Sequence, residues 1–133
     1  MFSTASSPIS AMGSRNSPVP VQVGSGIPTK IRDYVYCLPF NDFDAVEQCL
    51  NDHHGEIAAL LVEPCLGNIV GIEPKDGFLQ HLRNLCDKYN VVLIFDEVKT
   101  GFRLSNGGAR ETYEVIPDTV SYTHLRAHET WSY

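Results

Sequence analysis

The chain has 133 residues, of which 43% are hydrophobic and 20% charged, the composition of one modest globular domain with little room for a second. A net charge of -6 argues against nucleic acid as a main partner, because phosphate binding needs clustered Lys and Arg, but it leaves room for a small anionic ligand. No apolar run approaches the roughly 20 residues that cross a bilayer, so no membrane partner is expected.

Residues 1–37 open with MFSTASSPISAMGSRNSPVPVQVGSGIP, rich in Ser, Pro and Gly and without an acid before Asp33. Such a start fits either an organelle transit peptide or an irregular segment. Lacking an Arg-rich amphipathic pattern, it is expected to be irregular.

From Leu38 the pattern sharpens. In LPFNDFDAVEQCLNDHH, Asn41 or Asp42 can cap a short helix with Phe43, Val46, Cys49 and Leu50 on one face. Ile57 to Val62 is an unbroken apolar run closed by Glu63 and Pro64, the pattern of a parallel strand covered on both faces. After a glycine-bearing loop, Phe78, Leu79, Leu82, Leu85, Cys86 and Tyr89 recur with a helical period, with Asp76 as expected N-cap and Asn90 as stop. Val91 to Phe95 is a second apolar strand, ending in Asp96 and Glu97, which completes a βαβ unit. Ala109 to Tyr113 is expected as a helical turn and Thr119 to Tyr122 as a third short strand. The fold class is α/β with parallel strands.

The tail THLRAHETWSY, residues 123–133, breaks the pattern. It carries two of the five His residues and the only Trp, and is expected to be a non-native extension. The four cysteines, Cys37, Cys49, Cys65 and Cys86, have neither CxxC nor Cys/His spacing, so they are expected as reduced, buried thiols and no metal site is expected.

Acids at the ends of parallel strands face the crevice where open α/β sheets bind ligands. Glu63, Asp96 and Glu97 stand there. For Glu97 alone, a solvated strand end or a helix-capping role is the expected one. Four apolar residues before Asp-Glu also match the Mg²⁺-binding strand of P-loop ATPases, which requires an upstream GxxxxGK followed by Ser or Thr. The nearest candidate, Gly24 to Ile31, has Thr29 where Gly is needed and Ile31 where the hydroxyl is needed. That reading fails.

LPFNDFDAVE, IAALLVEPCLGN, GFLQHLRNLCDKYNVVLIFDEVKTGFR and GGARETYEVIPDTV, in this order and spacing, resemble the class III pyridoxal 5′-phosphate (PLP)-dependent aminotransferases, and among them the glutamate-1-semialdehyde aminomutases. The resemblance implies a partial three-layer PLP-transferase type I large domain over residues 38–122. It implies that Asp96 pairs with the protonated pyridine nitrogen of PLP, whose ring then acts as an electron sink. It implies that Val98 packs on one ring face, that Asn68 lies near the ring hydroxyl, and that Glu63 supports them from behind.

The family's essential lysine, which forms a Schiff base with PLP, is expected near position 124. His124 stands there, and no lysine follows Lys99, whose own position does not match it. The resemblance thus implies a piece of an enzyme that is inactive alone and belongs to tetrapyrrole synthesis. The parent's substrate is expected to be a small amino compound, its assembly a homodimer, and its compartment the cytoplasm, or a plastid in a plant or alga. Lys99 stands where aminomutases usually have Met, which keeps open a class III transaminase for another amine. A non-catalytic α/β binding module is the other alternative.

Overall fold

The structure is a computed structural model that describes residues 2–3, 10–11, 21–22, 28–67 and 71–122. Its strands are β1 (Phe2–Ser3), β2 (Ser10–Ala11), β3 (Val21–Gln22), β4 (Tyr36–Cys37), β5 (Ala59–Val62), β6 (Val92–Asp96) and β7 (Thr119–Ser121). Its α-helices are α1 (Phe43–Asp52), α2 (Phe78–Tyr89) and α3 (Ala109–Thr112), with a 3₁₀ helix at Thr29–Tyr34. Five strands form one parallel sheet in the order β4-β1-β5-β6-β7, while β2 and β3 pair antiparallel as a separate two-stranded sheet. The Ser/Pro/Gly-rich segment therefore contributes short strands, including one inside the main sheet.

Helix α1 starts where an Asx cap allows it: the Asp42 side chain accepts the Ala45 N–H at 3.2 Å. Its buried face is Val46, Cys49 and Leu50, as the spacing predicts. Helix α2 begins differently from the expectation. Gly77, in the left-handed region at φ 77°, is the N-cap residue, and no side chain caps the helix there, so Asp76 does not. The stop is Asn90, left-handed at φ 54°, a conformation that Asn adopts more readily than most residues.

Strand β5, helix α2 and strand β6 form the expected parallel βαβ unit, with Val62 beside Phe95 and Leu60 beside Leu93. These four side chains face α1 and α2 and join Phe78, Leu79, Leu82 and Leu85 in the core. Phe43 meets Phe78 edge to face at 5.2 Å, locking the two helices together. The opposite sheet face is less covered than the apolar runs lead one to expect. Ala59, Leu61 and Ile94 are half-buried and Val92 is exposed, because α1 and α2 both lie on the Leu60–Leu93 side. Among the described residues, no helix is long and apolar enough to cross a membrane.

Candidate functional site

The site is built where β5, β6 and β7 end side by side. Period-two alternation along β6 sends Leu93 and Phe95 into the core and turns Val92, Ile94 and Asp96 to the other face. Continuing past the strand, Glu97 is buried and Val98 is 48% exposed. Asp96 and Val98 thus flank an inward-pointing acid. The Asp96 Oδ1 accepts the Val98 N–H at 3.1 Å, a local turn that holds the carboxylate over its own strand end. Among the described residues, no hydrogen bond is made by its other oxygen.

Glu63 ends the neighbouring strand and is only 4% exposed. Its Oε2 accepts the Gly67 N–H at 3.0 Å, which curls the chain after β5 back over the strand end. The backbones of Leu66 and Ile72 then close this loop through an antiparallel bridge. Glu73 follows, and its carboxylate accepts a hydrogen bond from the Tyr113 hydroxyl. Burial, with Glu73 alongside, pushes the Tyr113 phenol well above its ordinary value. Asn41 fastens the same strap from the other side, donating to the Glu73 carbonyl at 3.0 Å and accepting the Lys75 N–H at 2.8 Å.

Glu97 settles between the two readings open to it from sequence. It is a buried helix-capping acid: Oε2 accepts the Ala109 N–H at 2.7 Å and the Thr100 hydroxyl at 3.4 Å. Its own N–H donates to Ser121 O at 2.7 Å, tying β6 to β7 beyond the Asp96–Ser121 pair. A cavity of about 270 Å³ opens beside it, lined by Phe102, Asn106, Arg110, Val120 and Tyr122 among others. Asp96 and Val98 do not line that cavity; they lie on the other side of the strand end.

Of the residues expected at the site, the structure thus brings Glu63, Asp96 and Val98 to the ends of two paired strands. Asn68 lies outside the described residues, as do His124 and the tail 123–133. Gly67, one residue before Asn68, is described and lies under the Lys99 side chain. Sequence reasoning missed Gly67, Thr100 and Gly108, because their importance comes from close approach across loops. The Gly-Gly pair before a helical turn was the available signal. Among the described residues, no group of three or more His, Cys, Asp or Glu side chains could hold a metal ion.

The aminotransferase class-III family matches residues 26–124. A glutamate-1-semialdehyde 2,1-aminomutase of Methanocaldococcus jannaschii is 45% identical over 109 residues, which cover 82% of this chain and 24% of that protein. The chain thus spans about a quarter of the length of the curated relatives it matches. An omega-transaminase from Sphaerobacter thermophilus superposes with TM-score 0.73 at 37% identity, covering 83% of this chain and 25% of the other. A glutamate-1-semialdehyde aminomutase from Pseudomonas aeruginosa, in complex with PMP, superposes with TM-score 0.70 at 29% identity, covering 86% and 24%.

Proposed function

We propose, since this chain belongs to the class III aminotransferase family, that it is a piece of a PLP-dependent enzyme whose parent most resembles glutamate-1-semialdehyde 2,1-aminomutase. The observation that carries the reading is the Asp96 carboxylate at the C-terminal end of the parallel strand β6, beside an exposed apolar Val98. These two residues fit a flat, cationic heteroaromatic ring. One carboxylate oxygen is engaged by the Val98 N–H and the other is open to a ring N–H, while the branched side chain offers a surface for a ring face.

When bound, PLP supplies an electron-withdrawing pyridinium ring that stabilises negative charge at the substrate's α-carbon. The Asp96 carboxylate would accept a hydrogen bond from the ring N–H and its negative charge would keep that nitrogen protonated. Val98 would cover one ring face, and Glu63 holds the start of the loop after β5 by accepting the Gly67 N–H. In the parent, a lysine would move the proton at the substrate; here no lysine follows Lys99. The 133-residue chain is therefore inactive by itself.

Two experiments test this. The parent enzyme, recovered as a full coding sequence and purified, is expected to convert glutamate 1-semialdehyde to 5-aminolevulinate and to lose at least about a hundredfold in rate when Asp96→Asn is introduced. The 133-residue chain, treated with PLP and borohydride, is expected to retain no single-site pyridoxyl adduct and to turn over no amino substrate. A chain that did both would overturn the reading. The similarity to an omega-transaminase, together with Lys99 in place of Met, favours a second reading in which the parent's substrate is another amine. Its discriminating result is a parent that exchanges amino groups with a simple amine and ignores glutamate 1-semialdehyde.

A further inference from the structure

Glu97 is the one acid at the strand ends that points away from the proposed ring. It is 4% exposed and sits between two flanking residues, Asp96 and Val98, that face the other way. A buried carboxylate is costly unless donors surround it, and here they come from two separate segments, Thr100 in the turn and Ala109 at the start of α3. The backbone closes tightly around the same group. A Cβ on Gly108 would lie 2.5 Å from Oε2 and 2.8 Å from Oε1. A Cβ on Gly101 would lie 2.8 Å from Glu97 O, the carbonyl that already accepts the Gly101 N–H at 2.8 Å. Its N–H donates to Ser121 O, its carbonyl accepts from Gly101 and its Oε2 accepts from Thr100 and Ala109, so Glu97 is joined to β7, the turn and α3 at once.

We propose that Glu97 is a positioning residue for the cofactor: by anchoring its side chain under Gly108 and Ala109, it fixes the backbone that presents Asp96 and Val98 to the pyridine ring. The argument is one of alternation. Residues 96, 97 and 98 share one short extended-to-turn stretch, so clamping the middle side chain on one face sets the direction of its neighbours on the other. Glu97 touches no substrate or ring atom in this scheme. Its carboxylate acts through the Asp96–Val98 hydrogen bond. The proposal rests on the assignment of Asp96 and Val98 to the cofactor.

The test uses the whole ¹⁵N-labelled 133-residue chain and follows hydrogen exchange at three amides. The Val98 N–H reports the Asp96 bond, the Ala109 N–H reports the Glu97 bond, and the Leu93 N–H, held by Asp118 at the far end of β6, reports the intact sheet. Glu97→Leu is expected to speed exchange about tenfold or more at both Val98 and Ala109, with Leu93 unchanged. Glu97→Gln keeps an acceptor oxygen and is expected to stay within about threefold of the unsubstituted chain. If Glu97→Leu frees Ala109 and leaves Val98 as slow as before, Glu97 merely caps α3 and the proposal fails. If Glu97→Leu also frees Leu93, the chain has unfolded, and Thr100→Val decides: faster Val98 exchange supports the proposal and unchanged exchange overturns it. Titration with pyridoxamine 5′-phosphate separates this from the functional reading. A Val98 amide signal that ignores the compound counts against the cofactor site, whereas the exchange comparison judges Glu97 on its own.

Discussion

Gly67 and Lys99 lie in van der Waals contact across the mouths of two neighbouring strands, so close that a Cβ on Gly67 would come within 2.7 Å of Lys99 Cβ and 3.3 Å of its Cγ. The loop after β5 and the turn after β6 are thereby fitted to each other at the point where Glu63 and Asp96 end their strands. The lysine stem, not its charge, makes this contact.

Gly67→Ala should therefore destabilise the chain by about 1–3 kcal/mol, since the added methyl overpacks a contact between two loops. Lys99→Gly in the same chain should recover part of that loss. Urea midpoints for the two single variants and the double variant measure the coupling, and strict additivity would show that the two loops are not in contact.

Phe95 and Val92 make a paired prediction about the two sheet faces. Phe95 has no exposure, so Phe95→Ala should cost about 3–5 kcal/mol and unfold much of the chain at 25 °C. Val92 is 44% exposed, so Val92→Thr should change stability by no more than about 0.5 kcal/mol. Circular dichroism during urea titration reads both. Equal effects would mean that the strand is turned over relative to this description.

Asp118 should make stability depend on acid pH. Its carboxylate accepts the Leu93 N–H at 2.7 Å and the Arg83 guanidinium at 2.9 Å, and these bonds, the Leu93 one foremost, hold its pKa below the ordinary 3.8. A carboxyl depressed in the folded state contributes stability that is full above its unfolded value and fades as pH falls through the folded one. Because Asp118 is half exposed, the contribution is screened, and Asp118→Asn should cost only about 0.5–1 kcal/mol at pH 7. The two chains should converge as pH falls through the depressed folded value, below 3.8. Urea midpoints from pH 2 to 7 give the comparison, and parallel curves would refute it.

The four thiols are all buried and form no disulfide. Burial pushes Cys86 up to about 12 and Cys49 up to about 11, so neither forms a thiolate near neutral pH in the folded chain. Ellman's reagent at pH 8 should react with them only on unfolding in urea. Alkaline stability has the matching sign. Unfolded thiols ionise near 9 while the buried ones stay protonated, so stability should fall as pH climbs past that value. Fast reaction of the native chain would show that α1 and α2 do not cover the sheet.

The helices and core strands were legible from periodicity, because each has to bury one face. Val46, Cys49 and Leu50 on α1, the Leu79–Leu82–Cys86 stripe of α2, and the runs ending at Val62 and Phe95 needed no neighbours to be recognised. The acids at the strand ends were visible too, since Glu63 and Asp96 interrupt apolar runs. What spacing could not reveal was direction and partnership. That Asp96 turns outward while Glu97 turns in, that Gly77 rather than Asp76 begins α2, and that Gly67 meets Lys99 are outcomes of strand pairing and loop packing. A side chain's own chemistry declares that it wants a donor; only the folded backbone decides which donor, from 12 residues away in the case of Ala109, reaches it.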